Sequence, residues 1–266
     1  MEKIEHPLLI VQWFNALFGP LVAAVLRPLD VTFAAGEKVI PDHVVMAVLI
    51  LVAASILCLA MRSRLSVDNP GRLQILLETL ISGVNGLLKD IIGPKVPQFL
   101  PLVGSIGLFI LVANLMGLIP GLMAPTSNIN TTLGCALTVW VYYQFHGFKA
   151  QGVLGYLRHF AVPAGAPIWI APIYFPIEVI SHLSRVLSLS VRLFGNIFGE
   201  ELVILILFTI VPFVVPLPMM FLGIITAVLL AFIFVMLTMI YLQGAVVVEH
   251  HDGGASHGEV HEAAAA

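Results

Sequence analysis

The sequence predicts an all-α polytopic membrane protein with about five membrane-embedded helices and one amphipathic helix on the surface. Three observations carry this. Only 10% of the 266 residues are charged and 59% belong to the hydrophobic set, whereas a soluble domain carries about 25% charged residues. With a mean hydropathy of +1.04, water is not the main solvent of this chain. Long apolar stretches recur, each of the length that crosses a hydrocarbon core about 30 Å thick. One further stretch is apolar at helical steps only.

Taken in order, residues 8–26 are apolar but broken by Gly19-Pro20, and read as an interfacial segment. Residues 27–42 hold most of the charge of the N-terminal third and belong in water. The first clear span is His43 to about Met61, stopped by Arg62 and Arg64. In 70–95, Leu73, Leu76, Leu77, Leu80, Ile81, Val84, Leu87, Leu88 and Ile91 recur at three- and four-residue steps, interrupted by Glu78, Lys89 and Asp90. That pattern predicts a helix lying along the membrane surface or packed on the spans, started near Pro70 and ended at Gly93-Pro94. A second span covers about Phe99–Ile119, a third about Thr131–Phe145. Two long apolar segments, about 171–211 and 217–242, close the membrane region, with Pro212, Pro216 and Pro218 at the turn. This divides the chain into an outer-side N-terminal segment (1–42), a membrane domain (43–247) and a disordered tail (248–266).

Arg62, Arg64, Arg72, Lys89 and Lys95 share one loop region. Lys149 and Arg158 lie two crossings later, on the same side, and the loop around 120–130 has neither Lys nor Arg. The positive-inside rule then places the N-terminus outside and the tail in the cytoplasm. A net charge of −3 does not suggest a nucleic-acid partner. Cys58 and Cys135 sit in apolar runs and suggest no disulfide or zinc site. Met1–Pro7 lacks the pattern of a cleaved signal peptide. The tail histidines, His250, His251, His257 and His261, lack metalloprotease spacing and read better as a solvated tail. No phosphate-loop spacing occurs, so no ATP chemistry by the chain alone is expected.

The informative stretch is 178–203. Ionisable residues at membrane depth cost about 2.5–3.5 kcal/mol each on insertion scales, and are functional candidates by default. Here Glu178, Ser181, His182, Arg185, Ser188, Arg192, Gly195, Asn196, Gly199 and Glu200 fall within one arc of about 120° on a helix. Glu201 points to another face, back toward the protein. Ser181, Ser188, Gly195 and Gly199 are small enough to let a partner helix come close. Glu178 lies roughly 21 Å from Arg192 along the axis, and Glu200 roughly 12 Å beyond. Acidic and polar groups thus flank a central guanidinium on both sides, as two half-paths separated by a positive gate require. Arg185 reads equally as a partner of Glu178 or as a headgroup contact.

At these residues the sequence resembles a known family. Ser188-Leu189-Ser190-Val191-Arg192-Leu193-Phe194-Gly195-Asn196, followed by Glu201-Leu202 and Ala231-Phe232-Ile233-Phe234, is similar to the signature of the a subunits of bacterial F-type ATP synthases. Asn114-Leu115-Met116 with Leu118-Ile119-Pro120, and Pro125–Thr131, resemble two further motifs, in matching order from about Pro70 to Val247. The resemblance implies a multi-pass protein of the bacterial inner membrane whose long, tilted helical hairpin hugs a ring of small c subunits. Each ring subunit carries one mid-membrane carboxyl. It also implies a peripheral stalk of b subunits, the rest of the synthase and membrane lipid as partners, and no cofactor. Arg192 then stands at the family's essential arginine. Asn196 and Glu201, with Asn114 and Asn128, go to the outer half-channel. Glu178, Ser181 and Ser188, with His182, go to the cytoplasmic one. The chain departs from the pattern at Leu230, where many relatives have Gln, at Gly223, where some have His, and at Asn128, where Asp is frequent. Glu200 is the group that would compensate. A stand-alone transporter would show internal repeats, which this chain lacks. A mere anchor leaves Arg192 unexplained.

Overall fold

The computed structural model describes residues 9–26, 40–62, 65–66, 70–93, 96–119, 122–152, 169, 171–210 and 216–246. Among these the regular structure is entirely helical: α1 (Leu9–Leu26), α2 (Asp42–Arg62), α3 (Arg72–Ile92), α4 (Val96–Gly117), a short 3-10 turn (Pro125–Ser127), α5 (Ile129–Gln151), α6 (Ala171–Ile210) and α7 (Pro216–Val246). In a membrane a helix satisfies its own backbone polar groups, which is why a chain this apolar takes this form. Four helices, α2, α4, α6 and α7, are long and apolar enough to cross by themselves. The fifth, α5, is 23 residues long and more polar, carrying Thr131, Thr132, Gln144 and His146. It sits against α6 and α7.

The elements expected from periodicity are present, with ends moved by a few residues. The corrected element is α1. Gly19-Pro20 does not break it, and the helix runs on to Leu26 with Pro20 inside. A proline there removes one backbone bond, but an apolar surround leaves no better conformation for the chain. Asn15 fixes α1 to the start of α2: its amide accepts from Ile40 N–H at 3.0 Å and donates to Ile40 C=O at 3.1 Å. The assignments to residues 27–39, to Met1–Pro7, to Pro212 and to the tail from 247 lie outside the described residues.

The amphipathic helix α3 buries Leu88 and Ile92 against α4 and α7. Leu73, Leu76, Leu80 and Ile81 of the same stripe remain exposed. Gly93, with φ 81°, ends the helix in the left-handed region where glycine alone is unstrained. Two apolar clusters hold the bundle. The larger joins α3 to α7 through Leu88, Phe99, Ile110, Tyr143, Leu193 and Met239. The smaller joins α1 and α2 to α4 through Val45, Met46, Ile50 and Ala113. Cys135 packs against the larger cluster, while Cys58 is exposed on α2, and both are free thiols.

Helix α6 has 40 residues, about 60 Å of helix and about twice the hydrocarbon thickness. It cannot stand upright within the core. It tilts steeply or runs beyond it. With α7 it forms the long hairpin. Of its 18-residue apolar window only 11% is buried among the described residues, against 33% for the corresponding windows of α4 and α7, so most of that stretch is left open to lipid or to a partner.

A side chain at Gly107 on α4 would come within 2.5 Å of Val235 on α7. Gly107→Leu should pry these helices apart and cost about 1–3 kcal/mol, seen as a lower melting temperature of the detergent-purified protein. Gly104→Ala, with no atom near its added carbon, should melt as wild type.

Candidate functional site

Helix α6 turns one face, carrying Val186, Leu189, Leu193 and Ile197, into the bundle. The polar stripe does not coincide with the opposite face; it runs along the border of the buried one. An arc of about 120° is wide enough to straddle that edge, and the structure splits it. Ser188, Arg192, Gly195 and Asn196 are exposed, whereas Glu178, Ser181, Arg185, Gly199 and Glu200 are half-buried. His182 is buried at 7% exposure.

Arg192 lies near the middle of α6. It makes no hydrogen bond or ion pair with any described residue. Around it the outward surface carries the small or polar Ser188, Gly195 and Asn196 at three- and four-residue steps, and the apolar Leu187, Val191 and Phe198 beyond them. A guanidinium stays charged at any relevant pH, so a positive charge is presented from the outward surface of the helix without a counter-charge among the described residues.

Toward the end of α6 near the α4–α5 connection, polar groups converge. Glu201 does look back into the protein: its Oε1 accepts the Ala124 N–H at 3.0 Å. Beside it, the Thr126 hydroxyl donates to Asn114 Oδ1 at 2.8 Å, and the Asn114 amide reaches the Ala227 carbonyl at 3.5 Å. Thr126 and Asn114 are buried, so Asn114 ties α4 to the connection and to α7. Asn128 has a local task as the N-cap of α5, where its side chain accepts the Asn130 N–H at 3.0 Å. Asn196 is not brought into this cluster.

Glu200 turns toward α7. Its Oε1 is buried and has no hydrogen-bond partner among the described residues. A Cβ on Gly223 would overlap that oxygen, and would lie 2.6 Å from Leu118 Cδ2. The carboxylate fills the room that the missing side chain leaves. Leu230, one of the departures from the family pattern, is buried in the main apolar cluster.

At the other end of α6, His182 stands between two partners. Its Nε2 is 3.3 Å from Glu178 Oε1, and its Nδ1 is 2.8 Å from the Tyr143 hydroxyl on α5. Arg185 does not take Glu178. Its guanidinium lies 5.6 Å from the centre of the Tyr241 ring on α7, a cation–π contact. Thr132 and Ser190 join α5 to α6 by a buried hydroxyl pair at 3.1 Å. Sequence reasoning missed Tyr143 and Thr132, and met Thr126 only as part of the Pro125–Thr131 motif, without a role. All three sit on other helices or turns, where no periodicity on α6 could indicate them. Among the described residues no three metal-ligating side chains come together.

Residues 43–243 match the family model described as the ATP synthase A chain. The chain is 42% identical over 245 residues to ATP synthase subunit a 1 of Pelobacter propionicus, covering 92% of this chain and 99% of that one. It is 44% identical over 240 residues to ATP synthase subunit a of Geobacter sp. strain M21, covering 90% and 97%. With ATP synthase subunit a of Geobacter sulfurreducens the identity is 40% over 245 residues, covering 92% and 99%. A matching model over most of the chain, relatives aligned nearly end to end, and an all-helical membrane fold give one conclusion: the chain belongs to the ATP synthase A chain family.

Proposed function

We propose that this chain is the stator subunit that couples ion flow to rotation in a bacterial F-type ATP synthase, with Arg192 as the gate between two offset half-paths. One observation carries the reading. Arg192 is an exposed guanidinium near the middle of a membrane-spanning helix with no partner among the described residues, and intramembrane charges of this kind require a partner. A ring of c subunits, each presenting one carboxyl, supplies it from outside the chain.

The chemistry follows. An ionised ring carboxylate is attracted to Arg192, while a protonated one is not and turns into lipid. Arg192 therefore favours deprotonation of the site in front of it and repels a proton that would pass straight between the half-paths. Each charge crossing 100 mV supplies about 2.3 kcal/mol. Protonation on one side and release on the other convert this into rotation. The contact must stay hydrated, since a dry pair would bind too tightly to let the ring move.

The outer half-path is assigned to Asn196, Glu200, Glu201, Asn114 and Asn128, next to the loop without Lys or Arg. The inner one is assigned to Glu178, Ser181, His182 and Ser188. Gly195 and Gly199 give the ring room to approach. The peripheral stalk of b subunits, the remaining synthase and membrane lipid complete the partners. The N-terminus faces outward and the C-terminus the cytoplasm. The seating of Glu200 over Gly223 supports a compensating role: a buried, unpartnered carboxylate oxygen is expensive unless a proton or water satisfies it.

In vesicles holding the whole complex, Arg192→Ala should abolish ATP-driven proton pumping while ATPase activity remains. Arg192→Lys keeps the charge but loses the planar donor set, and should be impaired as well. Pumping at the wild-type level in Arg192→Ala would sink the gate. Glu200→Gln and Gly223→Ala should each slow proton flux, the first by removing a titratable group and the second by displacing it. Unchanged flux in both would remove Glu200 from the outer path.

A further inference from the structure

We infer that Glu178, His182 and Tyr143 act together as one proton-holding unit at the inner half-path, with Glu178 as its port and His182 and Tyr143 as its buried support. The inference rests on the two-path reading above and adds to it a residue on α5 and a division of labour.

Exposure separates the roles. Tyr143 and His182 are 2% and 7% exposed, while the Glu178 side chain is 22% exposed. A proton reaches Glu178 first, and the imidazole only through it. The distances then allow two states without movement of heavy atoms. In the unloaded state Glu178 is a carboxylate and the neutral imidazole holds its proton on Nδ1, donating it to the Tyr143 oxygen, so that Nε2 is open to accept. In the loaded state one added proton, arriving at Glu178, lies between Oε1 and Nε2 across the 3.3 Å contact. On Oε1 it gives a neutral carboxyl beside a neutral imidazole, and on Nε2 a carboxylate beside an imidazolium. Nδ1–H donates to the Tyr143 oxygen throughout, and that bond fixes the tautomer that leaves Nε2 as the acceptor. A purely apolar anchor would need none of this, and a buried imidazole without both partners would be costly.

The surroundings of the unit are specific. On α6, Arg185 and Tyr174 flank it. From α5 comes Tyr143, its ring stacked at 5.8 Å on the imidazole. From α7, Tyr241 faces Tyr143 at 6.3 Å and takes the Arg185 guanidinium over its own ring. That contact holds the nearest fixed positive charge over an aromatic face, and the Glu178 carboxylate is shared by His182 and the Tyr174 hydroxyl. His182 and Tyr143 are positioning and proton-holding residues; neither reaches the ring-facing surface.

The experiment uses vesicles with the intact complex and follows proton flux against the pH of the inner side. Ordinary histidine titrates between about pH 5 and 8. H182Q keeps polar bonding but cannot take a proton. It should lower flux about fivefold, and flatten the profile over that range, the scale of losing a modest proton-transfer group. Y143F should lower flux about two- to threefold and shift the midpoint of the profile. H182Q with the wild-type profile, or with lower flux and an unchanged profile shape, would overturn the inference, the second outcome marking a structural role only. Should H182Q not assemble, Y143F decides on the same two criteria. Arg192→Ala in parallel separates the levels. If it loses pumping while H182Q and Y143F behave as wild type, only this inference falls. If it pumps normally, the two-path reading falls first.

Discussion

A guanidinium cannot shed its proton within a membrane, and that constraint organises the functional half of this molecule. Arg192 stands on a helix whose outward surface carries Leu183, Leu187, Val191 and Phe198 and, as its only polar exposed neighbours three or four residues away, the uncharged Ser188 and Asn196. Leaving it there is costly unless a negative group meets it, and no described residue of the chain does. The bundle behind it serves to hold that helix in place. Leu189, Leu193 and Ile197 lock α6 against α5 and α7, and the Thr132–Ser190 pair adds a polar bond across the junction.

Polar groups near the two ends of α6 are treated differently. Near the α4–α5 connection, Glu201, Asn114 and Thr126 are satisfied by bonds within the chain, and Glu200 Oε1 finds no partner among the described residues. The open valence there belongs to a single carboxylate seated over a glycine. At the opposite end, Glu178 is backed by an imidazole, and the imidazole by a phenol. In both places an acidic group near the surface of α6 depends on a choice made on another helix: no side chain at Gly223, a hydroxyl at Tyr143.

Much of this was legible in the sequence. Apolar length located α2, α4, α6 and α7, and a 3.6-residue period found α3, because membrane solvation imposes those two signals directly. The inward turn of Glu201 also followed from its phase on the helix. Other features could not be read. Gly19-Pro20 suggests a break in water, yet α1 continues through it where the chain has no better way to satisfy its backbone. His182 shares an arc with Arg192 but falls on the buried side of the edge, and only the packing of α5 decides where that edge lies. Tyr143 and Thr126 are invisible to any single-helix pattern, since their partners are 39 and 12 residues away.

The central claim is that the exposed face around Arg192 meets a carboxyl-bearing ring. Single cysteines at Ser188 and Gly195, both exposed on that face, can be tested for cross-linking in the intact complex, with Leu57→Cys on the outer surface of α2 as the control. The account predicts adducts between the Ser188 and Gly195 variants and a small co-purifying subunit that carries a mid-membrane carboxyl, and none from the control. No such adduct from either position, in a complex that still pumps protons, would contradict it.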